Sequence, residues 1–331
     1  MTEIGLGLQG DKRPGEYADL AALAESYGFD VLSVYGDLTF QPPIVPLLEM
    51  AGATGRVRLG AACWNPYSLH PYEIAGQVAA LDMASGGRAY LGLAQGAWLD
   101  SVGIRRHRPV RALAEAIEVI NTLLSGDDRG FAGEVFRIDP GTRLRYRVLR
   151  PKVPVLIGTW GPRTAALAGR VADELKIGGT VNPDMIGLIG GRIAAGAVGA
   201  GRAPTDVGIV AGAVTVVDED AELARATARS EVAMYLDVVA ALDPTVRLSP
   251  GLVSELTALV RAGEHEKAGA LIPDEVLDRF AFSGAPADVA RQAQRLIDAG
   301  VSRVEFGTPH GLDPARGVDL LGSTVIPLLR R

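Results

Sequence analysis

The chain has 331 residues with 33 basic and 39 acidic side chains, a net charge of -6 that gives no electrostatic reason to expect nucleic acid or an anionic membrane as partner. Its single cysteine excludes an internal disulfide and any multi-cysteine metal site, the four dispersed histidines offer no metal-ligand spacing, and no run approaches the roughly 20 apolar residues that span a bilayer. The start, MTEIGLGLQGDKRPGEY, lacks the basic stretch and apolar core of a signal peptide, so the expectation is a cytoplasmic protein acting on a small molecule.

Eight short apolar runs, each bounded by glycine, read in chain order as buried parallel strands: 4–9, 31–37, 58–64, 89–96, 153–160, 174–179, 207–217 and 301–311. Between them lie helical patterns with apolar residues three and four apart, at 16–28, 72–87, 108–126, 162–172 and 286–300. Eight β-α alternations, without a G-x-G-x-x-G fingerprint after the first strand, predict a (β/α)8 TIM barrel rather than a doubly wound sheet. The whole chain, 1–331, reads as one barrel domain. Two stretches break the rhythm: turn-rich 127–152 and mainly helical 219–282, both expected as insertions at the loop face, where they can form a lid.

Ligands of such barrels bind where the strands end. The residues collected there are small or aromatic: Gln9; Tyr35, Gly36 and Asp37; Ala61, Ala62, Cys63 and Trp64; Gln95, Gly96 and Trp98; Trp160; Gly178 and Gly179. Such a mouth suits a flat, mostly apolar ring laid against backbone. Gly161, Pro162, Arg163 and Thr164 open a helix, so the unpaired N–H groups and Arg163 form a candidate phosphate seat, to which Gly178, Gly179 and Thr180 could add donors. The alternative is an ordinary helix start with a solvated arginine. Asp37 is either a cap for the next segment or a group that binds a polar ring edge or donates a proton, and His310 is the best-placed titratable side chain for direct involvement. Three tryptophans at strand ends, in a chain with few aromatics, favour a ring pocket, with Gln9, Trp64 and Trp98 on its substrate side.

In order and spacing, A-E-S-Y-G-F-D-V-L-S-V-Y-G-D (24–37), L-G-A-A-C-W-N-P (59–66), S-G-G-R-A-Y-L-G-L-A-Q-G (85–96), G-P-R-T-A-A-L-A-G-R-V-A-D (161–173) and G-A-P-A-D-V-A-R-Q-A-Q-R-L-I-D-A-G-V (284–301) resemble the bacterial luciferase-like flavin and deazaflavin family. The resemblance spans nearly the whole chain and lies nearest the methylenetetrahydromethanopterin reductase branch. It implies a barrel that binds coenzyme F420, or alternatively FMN, at its mouth, with a non-prolyl cis peptide at Ala62–Cys63 behind the ring. It also implies a cofactor phosphate near Gly161 to Thr164. The glucose-6-phosphate dehydrogenases of the family carry a histidine and a glutamate where this chain has Leu38 and Ala97, so sugar oxidation through that pair is not expected.

The resulting expectation is an F420-dependent reductase that passes hydride from the deazaflavin to a C=C or C=N bond, working as a homodimer by family analogy. Two other readings are an FMN-dependent monooxygenase on the same fold and a cofactor-binding barrel without catalysis.

Overall fold

The computed structural model describes residues 2–330. Its central sheet contains eight parallel strands: β1 (Glu3–Leu8), β2 (Val31–Val34), β3 (Arg58–Ala61), β4 (Leu91–Ala94), β7 (Val155–Gly158), β8 (Glu174–Gly178), β9 (Gly208–Val217) and β11 (Arg303–His310). They run β3-β2-β1-β11-β9-β8-β7-β4, and isolated bridges Leu59–Ala89 and Trp64–Leu93 join the two ends into a barrel. Every strand predicted from an apolar run is present, and the fold is the predicted (β/α)8 barrel. The helical patterns become α1 (Glu16–Tyr27), α3 (Pro71–Ala84), α4 (Pro109–Ser125), α5 (Pro162–Val171) and α12 (Pro286–Asp298). Gly28, with φ 86°, ends α1 in the left-handed conformation that glycine adopts without penalty.

The two faces of the strands are not alike. Leu6, Leu8, Val34, Leu59, Leu93, Ile157, Leu175, Ile177 and Phe306 point outward and share one buried apolar cluster with the helices. Each such side chain removed from water contributes on the order of 1.5–3 kcal/mol. The alternate, inward-facing positions carry glycines, tyrosines and charges. A Cβ on Gly60 would lie 2.6 Å from the Tyr90 ring, and one on Gly7 would lie 2.1 Å from the Tyr35 hydroxyl. These glycines exist because two tyrosines fill the barrel beside them. Arg303, Glu305, Glu174 and Lys176 are buried there too, with the Arg303 guanidinium 5.4 Å from the centre of the Tyr90 ring. The runs read from sequence as buried apolar strands therefore carry buried charges on the inward face, beside an apolar cluster of Val31, Leu156 and Val210.

Residues 127–152 contain a short hairpin, β5 (Phe131–Ala132) with β6 (Arg137–Ile138). Buried Glu115 of α4 anchors it by accepting the N–H groups of Glu134 (2.9 Å), Val135 (2.7 Å) and Phe136 (3.0 Å). The segment then crosses α3, where the Tyr146 hydroxyl donates to Gly76 O and Arg150 grips Asp82. Residues 219–282 form α7 (Ala221–Ala233), α8 (Leu236–Leu242), α9 (Pro250–Arg261), α10 (His265–Ala270) and α11 (Asp274–Phe280), with an apolar cluster that includes Val232, Leu236, Leu256, Leu277 and Phe280. A ninth strand, β10 (Ala281–Gly284), pairs with the second half of β9, beyond the point where β8 stops.

Candidate active site at the mouth of the barrel

The strand ends frame a cleft of two adjoining chambers, about 550 Å³ and about 300 Å³. Both are lined by Asp37, Ala62, Trp98, Lys176 and Gly178. The larger chamber is walled by backbone at Gly36, Gly96, Gly158 and Gly161 and by the side chains of Cys63, Gln95, Trp160 and Thr164. The smaller is walled by Tyr35, Gly179, Gly212, Ala213, Val214 and Gly307, and is covered by Tyr235, Val238 and Val239 from the start of α8. Nothing from 127–152 lines either chamber, whereas the 219–282 segment contributes directly.

The bond Ala62–Cys63 is a non-prolyl cis peptide, as the resemblance implies, and Thr308–Pro309 is also cis. Around Cys63 the packing is close: a Cβ on Gly36 would approach the Cys63 carbonyl oxygen to 2.1 Å, and one on Gly158 would approach its Sγ to 2.9 Å. No larger residue fits at either position, so backbone itself forms this part of the floor. Burial pushes the Cys63 thiol up to about 12, so it stays protonated and is not a nucleophile.

On the far wall, Gly161 caps α5 without a capping side chain, and Pro162 occupies the first turn, where its missing N–H is no loss. Thr164 is buried and its hydroxyl accepts from Gln95 Nε2 at 2.7 Å. Trp160 is fixed by its indole N–H on Gly178 O at 3.0 Å and by Arg192 on its own carbonyl at 2.6 Å. Arg106 adds a cation to this wall and holds Gly96 O at 3.2 Å.

Beneath the chambers lies a group of side chains that the strand-end reading missed. Lys176 pairs with Glu305, whose carboxylate also accepts the Ser33 hydroxyl at 2.7 Å. The Tyr90 hydroxyl lies 2.8 Å from Ser33 Oγ and 3.1 Å from Gly60 O, and its one proton is shared between these two acceptors. Further down, Glu174 faces Arg303 at 3.4 Å and Arg58 at 3.1 Å. Burial alone would raise the Glu305 carboxyl, but the charges of Lys176 and Arg303 and the bonds from Lys176 and Ser33 outweigh it and hold it below the ordinary value. The signal was present in the sequence as E-L-K in β8 and R-V-E in β11, where charges alternate with period two inside apolar runs and so share the inward face.

Of the residues singled out from sequence, Tyr35, Gly36, Asp37, Ala62, Cys63, Gln95, Gly96, Trp98, Trp160, Gly161, Thr164, Gly178 and Gly179 come together around the cleft. The others do not line it. His310 is 1 % exposed and its Nε2 donates to Gly7 O at 3.0 Å. Burial lowers this imidazole to about 4, which keeps it neutral and places it in the packing between strand ends rather than in the cleft. Trp64 and Ala61 are buried in the apolar cluster shared with the helices, and Trp64 is bridged through its backbone to Leu93, so neither lines the cleft. Gln9 donates to Asp37 Oδ2 at 3.1 Å and acts behind it. Pro162 and Arg163 are exposed at the helix start beside the cleft. Thr180 is buried, its hydroxyl bonds Arg279 O, and its N–H and that of Gly179 both go to Gly212 O, so these two donors are already used.

Over 99 % of its length the chain is 30 % identical to the whole 5,10-methylenetetrahydromethanopterin reductase of Archaeoglobus fulgidus. It is 29 % identical to the F420-dependent glucose-6-phosphate dehydrogenase of Nakamurella multipartita, over 96 % of this chain and 93 % of that one. The solved structure of the coenzyme F420-dependent tetrahydromethanopterin reductase from Methanopyrus kandleri superposes with a TM-score of 0.87 at 25 % identity, covering 98 % of this chain and 99 % of that chain. The profile described as luciferase-like monooxygenase matches residues 1–303, and the chain belongs to that bacterial luciferase-like family.

Proposed function

We propose that this protein is an F420-dependent oxidoreductase that works as an F420H2-dependent reductase on a C=C or C=N bond of a small substrate. The observation that carries the reading is the glycine-floored chamber at Ala62–Cys63, in a chain similar over more than nine-tenths of its length to enzymes named as F420-dependent. Gly36 and Gly158 let the chain at Cys63 pack closely beneath the chamber and present backbone at its floor, which fits a flat ring. The uncapped first turn of α5, with Arg163 beside it and Arg106 on the same wall, fits a phosphate and other anionic groups. Deazaflavin, when bound, supplies two-electron hydride chemistry.

The protein's own part is positioning and water exclusion. Trp160 and the Gln95–Thr164 pair shape one wall, and Tyr235, Val238 and Val239 close the smaller chamber with apolar surface. Asp37, held by Gln9, stands where the two chambers meet and offers a carboxylate to a polar edge of ring or substrate. His310 has no part in proton transfer in this reading. Titration of the purified protein with F420 and with FMN, followed by fluorescence, tests the proposal. Micromolar binding of F420 without comparable binding of FMN is expected. FMN binding without F420 binding would refute it and favour the oxygen-using chemistry named in the family description.

A further inference from the structure

Of the four charges buried in the barrel, Glu174, Lys176, Arg303 and Glu305, Lys176 is the one that reaches the cleft, and it lines both chambers. It is 7 % exposed, its ammonium lies 5.1 Å from the centre of the Tyr35 ring, and its hydrogen bond goes to Glu305. An ammonium has three donors, so two N–H groups have no acceptor among the described residues. The chamber it enters is mostly apolar, with Ala213, Val214 and Val239 on its walls, and Asp37 supplies a carboxylate to the same lining. A buried cation with spare donors in a mostly apolar chamber is matched by one hydrogen-bond acceptor on an otherwise apolar molecule.

We propose that Lys176 is the proton donor of the reaction, and that the smaller chamber takes a conjugated carbonyl substrate whose oxygen is bound by the Lys176 ammonium. The inference rests on the reductase reading, with F420H2 as reductant. Hydride arrives at the carbon β to the carbonyl, the C=C electron pair shifts toward the oxygen, and that oxygen takes a proton from Lys176 Nζ. The enol returns to the ketone by proton exchange with water, and Lys176 regains its proton from solvent at the open side of the cleft. The substrate would gain two electrons and two hydrogens, a hydride that bound F420H2 would supply and a proton from Lys176, with the remaining proton of the reductant passing to solvent. Glu305 is a positioning residue: it aims the ammonium, and the Ser33 hydroxyl holds Glu305 in turn.

The test uses the full-length protein loaded with F420 or F420H2 and cyclohexenone as the probe. Lysine occurs only at 12, 152, 176 and 267, so protein labelled with [15N]lysine gives few Nζ signals, and that of Lys176 is identified by its loss in Lys176→Met. Addition of cyclohexenone to the F420-loaded protein is expected to move that signal. Lys176→Met alone strands Glu305, so the double variant Lys176→Met/Glu305→Gln serves as the neutral pair. It is expected to bind F420 within about twofold of wild type while the turnover of cyclohexenone falls about 10²- to 10⁴-fold, the range that general acids supply. Lys176→Arg, which keeps the charge but not an available proton, is expected to retain KM and lose kcat. An unmoved Lys176 signal, a wild-type protein that leaves cyclohexenone unreduced, or a double variant as active as wild type would each overturn the proposal. Absence of F420 binding by wild type would instead remove the reductase reading beneath it.

Discussion

Acid stability offers a direct check on the placement of His310. Its imidazole is buried between strand ends and lowered from the ordinary 6.5 to about 4, chiefly because burial disfavours the charged ring. That gap corresponds to about 3 kcal/mol. Above pH 6.5 the ring is neutral whether or not the chain is folded. Between pH 6.5 and about 4 the unfolded chain takes up a proton that the folded one does not, so stability falls as pH falls, and the loss is complete once the folded imidazole also titrates. His310→Gln keeps an N–H near the position of Nε2, able to reach Gly7 O, and removes the titration. Urea unfolding of both proteins at several pH values from 7 to 4 should show wild type losing about 3 kcal/mol more than the variant over that span. Equal losses in the two proteins would refute the burial argument. A variant that is stable but unable to turn over substrate would return His310 to the reaction.

Three other outcomes follow from single contacts. Cys63, raised to about 12, should react with iodoacetamide at pH 8 about a thousandfold more slowly than an ordinary thiol, and complete alkylation within minutes by intact mass would contradict its placement. Gly60→Ala would drive a methyl group into the Tyr90 ring, where the gap is 2.6 Å, and should cost about 1–3 kcal/mol in chemical unfolding; an unchanged midpoint would mean that Tyr90 has room to move. Arg163→Ala should weaken F420 binding by about 1–3 kcal/mol through a lost charge-assisted contact, and unchanged affinity would take Arg163 out of the phosphate seat.

The polar interior shapes how the site can vary. Lys176, Glu305, Ser33 and Tyr90 form one hydrogen-bonded chain from the cleft into the barrel, and each member satisfies the next. Removing one partner leaves a buried group uncompensated, whereas replacing Lys176 and Glu305 together does not. Specificity changes in this protein are therefore easier on α8, where Val238 is exposed at its outer side and still touches the smaller chamber, than on the strands below.

By itself the sequence determined the barrel, because eight short apolar runs alternating with amphipathic helical patterns have few other solutions. It also determined the mouth: the small residues at strand ends, from Gly36 to Gly179, line the cleft as read. Tertiary structure alone decided why each glycine is there. Gly158 makes room for the Cys63 thiol at the cleft floor, while Gly60 and Gly7 make space for Tyr90 and Tyr35, and a glycine in a strand carries no mark of which neighbour approaches it. The same holds for Trp64 and His310, whose strand-end positions were legible but whose side chains turn into the core. The pairing of Lys176 with Glu305 joins residues 129 positions apart, a contact that the barrel creates by closing β8, β9 and β11 around a common interior.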